Sequence, residues 1–295
     1  MKLIRTIYTL GLLAGLFASC SKESPLDGEQ YYKQVYIVGA YEVVQQFDVA
    51  YGDGPQNAYV AVATGGSQNI DRNVEVVLTH NDATIEWYNN KYMLDAPLKY
   101  QKLDDQFCSF PSMSTTIKAG DVYSRLPFTV ETSELDCDKL YALTFNIESV
   151  SDYVKQPKDT VLIMNLNLTD DFSGTYQMVA IRYTLTHNDE ELTPSSVNMQ
   201  RTLKAVNKNQ ARFFNVTQNS DLSPTGNITS EDYFNSIDNN GVTFTRQPDG
   251  TFTVAGWKNL PVSNGTVSFE DGTFTFCYDY ESGGKRYRLR GTMTK

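Results

Sequence analysis

Histidine is nearly missing from this chain of 295 residues: there are two, His80 and His187. Neither has a second histidine at ligand spacing, so a zinc site or a histidine-relayed catalytic centre has little to be built from. No GxSxG, HExxH, P-loop or GxGxxG occurs, which removes the usual hydrolase, metalloprotease and nucleotide fingerprints. Cysteine is scarce as well, at four residues without a CxxC pair. Apart from Cys20, only Cys108, Cys137 and Cys277 remain. A Cys108–Cys137 disulfide or free buried thiols would each suit an exported protein. Positive charge is short: 25 Lys and Arg stand against 35 Asp and Glu, a net charge of −10. Such a surface argues against nucleic acid and against anionic lipid headgroups. One long apolar run exists, Ile7 to Phe17, and it is too short to cross a bilayer, which takes about 20 residues. No catalytic residue, metal site or cofactor is expected, so the protein is read as a non-enzyme. Asp104-Asp105 and Glu190-Glu191 are adjacent acids of the kind that solvated loops carry, and Asp238-Asn-Asn-Gly lacks most of a calcium loop's ligands.

What is present begins with a leader. Lys2 and Arg5 precede the apolar run, which ends Leu16-Phe17-Ala18-Ser19-Cys20. Small residues before a cysteine predict a lipoprotein signal over residues 1–19, with Cys20 lipidated. An ordinary cleaved signal with a chance cysteine is the alternative. Residues 20–33 are polar and read as a flexible tether. Loss of Lys2 and Arg5 with the leader takes the charge from −10 to −12. The expected location is the outer membrane, lipid-anchored, facing the cell surface or the periplasm. Membrane contact is expected through the Cys20 lipid only, with no nucleic-acid partner and a monomeric chain.

The rest is β-like. The 19 Tyr and 15 Phe, with many Val and Thr, are interrupted by turn residues at close intervals. Residues 34–168 read as a β-sandwich, with strands at 34–40, 57–64, 73–79, 114–117, 126–132, 141–148 and 160–168. Asp82 opens a short helix whose apolar side is Ile85, Trp87 and Tyr88, so Trp87 is assigned to packing. The order VEVVLTHNDATIEWYNNKY, TTIKAGDVYSRLPFTV, LDCDKLYALTFNIESVS resembles a Bacteroidetes family. It is the immunoglobulin-like domain of unknown function at the N-terminus of surface lipoproteins encoded with glycan-utilisation machinery. The resemblance covers residues 34–168 and departs at Ala142-Leu143, where relatives often carry Leu-Pro. It implies compartment and scaffold more than chemistry. Asp159-Thr160-Val161 resembles the sequon that this phylum O-glycosylates, which marks Thr160.

Residues 169–173 form a short junction, and 174–295 read as an antiparallel meander closing into a lipocalin-like β-barrel, with a second β-sandwich as the alternative. Turns at Pro248-Asp-Gly, Asp271-Gly and Ser282-Gly-Gly separate alternating strands. In the last hairpin Phe274, Phe276, Tyr278 and Tyr280 share one face, and Arg286, Arg288 and Arg290 take the outer face of the next strand. A four-residue loop would pair Tyr278 with Tyr287 and Asp279 with Arg286. Residues 222–237 read as a long loop holding at most one helical turn. Its Tyr233 and Phe234, together with Trp257 beside a turn, are the candidate ligand-binding rings, since aromatic faces suit sugar rings. The expected function is non-catalytic glycan binding as an accessory of a polysaccharide-utilisation system. The alternative is a cell-adhesion or scaffold lipoprotein that binds a surface protein.

Overall fold

The computed structural model describes residues 28–215 and 226–295. The leader, Cys20 and most of the tether lie outside the described residues. The protein is all-β, a two-sheet sandwich followed by a closed barrel.

The sandwich strands are β1 (Gln34–Ile37), β2 (Val44–Ala50), β3 (Gln56–Gly65), β4 (Val74–Thr79), β5 (Tyr100–Lys102), β6 (Cys108–Ser109), β7 (Ser114–Ile117), β8 (Tyr123–Val130), β9 (Leu140–Val150), β10 (Val154–Lys155) and β11 (Val161–Thr169). One sheet runs β10-β1-β3-β8-β6; the other runs β2-β11-β9-β4-β7, with β5 beside β9. Burial alternates along β8, where Leu126, Phe128 and Val130 face inward. That period of two puts every second side chain on the core face. Val62, Leu126 and Phe128 of one sheet meet Val76, Leu78, Phe145 and Leu162 of the other in a continuous core. Each such side chain contributes about 1.5–3 kcal/mol by leaving water.

Two sandwich features differ from expectation. Val44–Ala50 is a strand that the alternation did not mark. It pairs in parallel with β11, from Val44 opposite Ile163 to Ala50 opposite Thr169. Its Gln45, Gln46 and Asp48 are tolerated because β2 is a sheet edge. The helix α1 (Ala83–Tyr92) buries Ile85, but Trp87 is 46% exposed and does not belong to the packed side. Asp82 makes no capping hydrogen bond and instead pairs with Lys102 at 3.2 Å. Cys108, Cys137 and Cys277 are free thiols, which sets the disulfide alternative aside.

The barrel strands are β12 (Gly174–Leu185), β13 (Glu191–Asn207), β14 (Gln210–Phe214), β15 (Gly241–Arg246), β16 (Phe252–Gly256), β17 (Val262–Glu270), β18 (Thr273–Ser282) and β19 (Lys285–Thr294). They pair antiparallel in chain order, and β19 returns to β12, so the ring has no free edge. This closure excludes the second sandwich. Tyr176, Phe244, Phe274, Phe276 and Tyr278 are fully buried inside. The interior is packed with side chains and is itself a core.

The last hairpin corrects the expected register. Gly283 and Gly284 form a two-residue turn with φ of 57° and 70°, the left-handed pair that a tight hairpin asks for. Tyr280 therefore faces Tyr287, Tyr278 faces Leu289, and Asp279 faces Arg288. The shift is two residues, so every side chain stays on its expected face. Arg288 clasps Asp279 at 2.7 and 2.9 Å and also reaches Glu191 at 3.3 Å, so the arginine stripe is a paired outer face. The segment expected as a loop holds a helix, α2 (Ser230–Asn240), longer than a single turn. Thr229 caps it by accepting from the Asp232 amide at 3.0 Å.

Candidate functional site

A cavity of about 720 Å³ lies where the sandwich meets the barrel. Its sandwich wall is set by the pairing of β2 with β11. Gln46 stands opposite Asn165, and Asp48 opposite Asn167. All four share one face, because residues two apart on a strand point the same way. Asp48 accepts from Asn167 Nδ2 at 2.8 Å and from Gln46 Nε2 at 3.2 Å. Asn165 Oδ1 is buried and has no hydrogen-bond partner among the described residues. An unpaired buried acceptor costs about 1–3 kcal/mol, so it favours any donor brought to it.

The barrel wall is cationic. Lys204 on β13 stands opposite Arg212 on β14, and both line the cleft with Thr202. Arg212 is 5% exposed and donates to both oxygens of Asp138, at 2.9 and 2.5 Å. Lys204 lies 3.5 Å from the same carboxylate. Burial by itself would raise the Asp138 carboxyl, but the Arg212 guanidinium, with Lys204 beside it, holds it below the usual carboxylate range. Asp138 belongs to the sandwich, so this fork pins the two bodies together. The floor is the junction itself. Asp170 Oδ1 accepts from the amides of Phe172 and Ser173 at 2.9 and 2.5 Å, and Lys295 donates to Ser173 O at 2.7 Å. Burial pushes the Asp170 carboxyl up to about 6, against the pull of those amides.

The predicted rings gather nearby. Tyr233 is 4% exposed and packs with Ile237, Leu98, Phe214, Phe234 and Trp257 along the seam. Tyr233 and Ile237 are one helical turn apart on α2, which is why both face the sandwich. The Trp257 ring lies 4.7 Å from the Arg212 guanidinium. Trp257 and Phe234 are half-buried packing rings and do not line the cleft; Tyr233 does. The structure thus brings the three together, but as the seam's apolar filling. Thr160 is half-buried just before β11, its carbonyl accepting from the Ile147 amide at 3.0 Å.

Gln46, Asp48, Asn165, Asn167, Lys204 and Arg212 escaped sequence reasoning. The signal was present in Asn165-Leu-Asn167, two amides alternating with core residues on one strand. Among the described residues, Asp136, Cys137 and Asp138 offer ligand atoms within 4.8 Å of one another. Arg212 and Lys204 already neutralise Asp138, and burial pushes the Cys137 thiol up to about 11, so this cluster suits a neutral thiol more than a cation.

Two family models match the chain, one for an N-terminal domain over residues 31–154 and one for a C-terminal domain over residues 160–294. No curated protein matches. A solved structure of a Bacteroides ovatus protein of unknown function is 17% identical, covering 89% of this chain and 94% of that one with a TM-score of 0.59. A Bacteroides thetaiotaomicron structure described as an auxiliary nutrient binding protein is 16% identical, covering 86% and 91% with a TM-score of 0.57. At these identities the likeness is one of fold.

Proposed function

We propose that this protein is a non-catalytic glycan-binding lipoprotein, tethered by a lipid on Cys20 to the outer membrane and serving polysaccharide uptake at the cell surface. The observation that carries it is the amide and carboxylate row Gln46, Asp48, Asn165 and Asn167, facing Thr202 and Lys204 across a cleft of about 720 Å³. Sugars offer hydroxyl edges that both donate and accept, and a wall of amides can do both in return. Tyr233 supplies an apolar surface at one side. The two carboxylates among the cleft's described residues have other partners: Asp48 holds Asn167 and Gln46, and Asp170 holds the backbone of the junction. The fold shared with the nutrient-binding Bacteroides protein is consistent with this role.

The test is a glycan-array screen of the full-length protein beside Asn165→Leu and Asp48→Ala. Binding by the wild type that both variants reduce at least tenfold supports the cleft. Silence across the array moves the adhesion alternative ahead. Radiolabelled palmitate incorporated by the wild type and not by Cys20→Ser tests the anchor.

A further inference from the structure

A second cavity of about 410 Å³ opens on the sandwich, away from the barrel. It is built by strand register. On the outward face of the first sheet, Ala63 of β3 stands between Tyr36 of β1 and Tyr123 of β8. The next row places Ala61 beside Arg125. Small residues on the central strand and large ones on its neighbours make a trough with aromatic walls, and the core residues Val60, Leu162 and Met164 complete its lining. Tyr59 is 38% exposed and Tyr123 51%. Phe47 of β2 meets the Tyr59 ring edge-on at 5.5 Å, which fixes the ring's tilt.

The charge in this trough is unusual for the chain. The protein carries 35 acidic residues, yet none of the described ones lines the trough. Arg125 is the one charged residue among its described lining. The guanidinium lies 4.3 Å from the Tyr59 ring centre and 5.8 Å from that of Tyr123. Among the described residues it has no carboxylate partner. A guanidinium packed against a ring keeps N–H donors for the planar fork that matches a carboxylate or a sulfate. Gln45 and Thr64 add neutral polar groups to the lining.

We infer that this trough is a second binding site, and that its ligand is a short anionic saccharide whose ring stacks on Tyr123 while a carboxylate or sulfate ester pairs with Arg125. The volume falls in the range of small-ligand pockets. The acidic remainder of the surface repels long polyanions, so selectivity rests on one charge placed in register with stacked rings. The inference does not depend on the cleft. Gln46 and Asp48 line the cleft, whereas Gln45 and Phe47 of the same strand line the trough.

The experiment is calorimetry on the full-length protein with three probes: trigalacturonate, its methyl ester, and a 6-sulfated galactotriose. At low salt, trigalacturonate or the sulfated probe binds at least tenfold more tightly than the ester, and whichever is tighter identifies the anion. Arg125→Gln removes that preference, Arg125→Lys keeps part of it, and Tyr123→Ala weakens all binding. Arg125 and Tyr123 are exposed, so folding is retained and is checked by circular dichroism. Equal binding of ester and acid, binding untouched by Arg125→Gln, no binding of either anionic probe, or binding lost instead in Asn165→Leu would each overturn the inference. Tighter binding of trithymidylate than of either sugar acid would overturn it too.

Discussion

Replacing Asp138 with alanine removes the only carboxylate that Arg212 touches among the described residues. Arg212 would stay buried at 5% exposure beneath the Trp257 ring, with its charge uncompensated. Breaking a buried pair from one side costs about 3–5 kcal/mol. Arg212→Met costs less, about 1–3 kcal/mol, because Asp138 keeps Lys204 at 3.5 Å and side-chain exposure of 15%. The double variant replaces the pair with an apolar chain of similar length against Trp257, so it should lie within about 2 kcal/mol of wild type. The cycle should thus show a coupling energy of at least about 2 kcal/mol. Urea denaturation followed by tryptophan fluorescence measures all four proteins. An Asp138→Ala cost below about 1 kcal/mol, or additive single effects, would refute the view that this fork fastens barrel to sandwich.

Other outcomes follow from the same geometry. The raised Asp170 carboxyl, at about 6 in the fold against about 3.9 unfolded, takes up its proton first in the native state, so its contribution to stability grows as the pH falls from 7 to 5. Asp170→Asn removes that growth: Tm of the variant minus Tm of wild type should fall toward pH 5, and a flat difference would count against it. Cys137, its thiol pushed up to about 11 by burial, should react with iodoacetamide at pH 8 roughly a hundredfold more slowly than a free thiol, as followed by mass spectrometry. Gly284→Val forces a branched side chain into a φ of 70° and should cost about 1–2 kcal/mol in urea unfolding, whereas Gly283→Asn should cost much less because asparagine tolerates that region.

The barrel was the most legible part of the chain. Its turns are local signals, and alternation along Phe274 to Tyr280 is undisturbed. Even the misplaced hairpin register slipped by two, which keeps inside and outside intact. One charge hid in the pattern. Arg201 occupies an inward position in the row Val197, Met199, Arg201, Leu203 and Ala205, and it is fully buried, donating to Asn215 O at 3.2 Å. The cleft was not legible. Asp48 and Asn167 touch across a separation of 119 residues, through a parallel pairing that no turn announces. The burial of the rings was not legible either. Exposure of Tyr233 was read from a polar, Pro- and Gly-bearing segment, whereas α2 folds it onto Leu98 of the sandwich. Trp87 erred the other way, because a ten-residue helix on the sandwich flank buries little beyond Ile85.

Strand β2 sets a limit on how relatives of this protein can diverge. Its even-numbered Gln46 and Asp48 serve one cavity and its odd-numbered Gln45 and Phe47 the other. Inserting or deleting a single residue between Val38 and Val44 without local compensation would trade the two sets, handing the phenyl ring to the amide wall and the carboxylate to the tyrosine trough. Natural variants should therefore change the length of this segment by two or absorb an odd change in a bulge. The linings of the two cavities descend together through one seven-residue strand, and neither can be reshaped by a small insertion without altering the other.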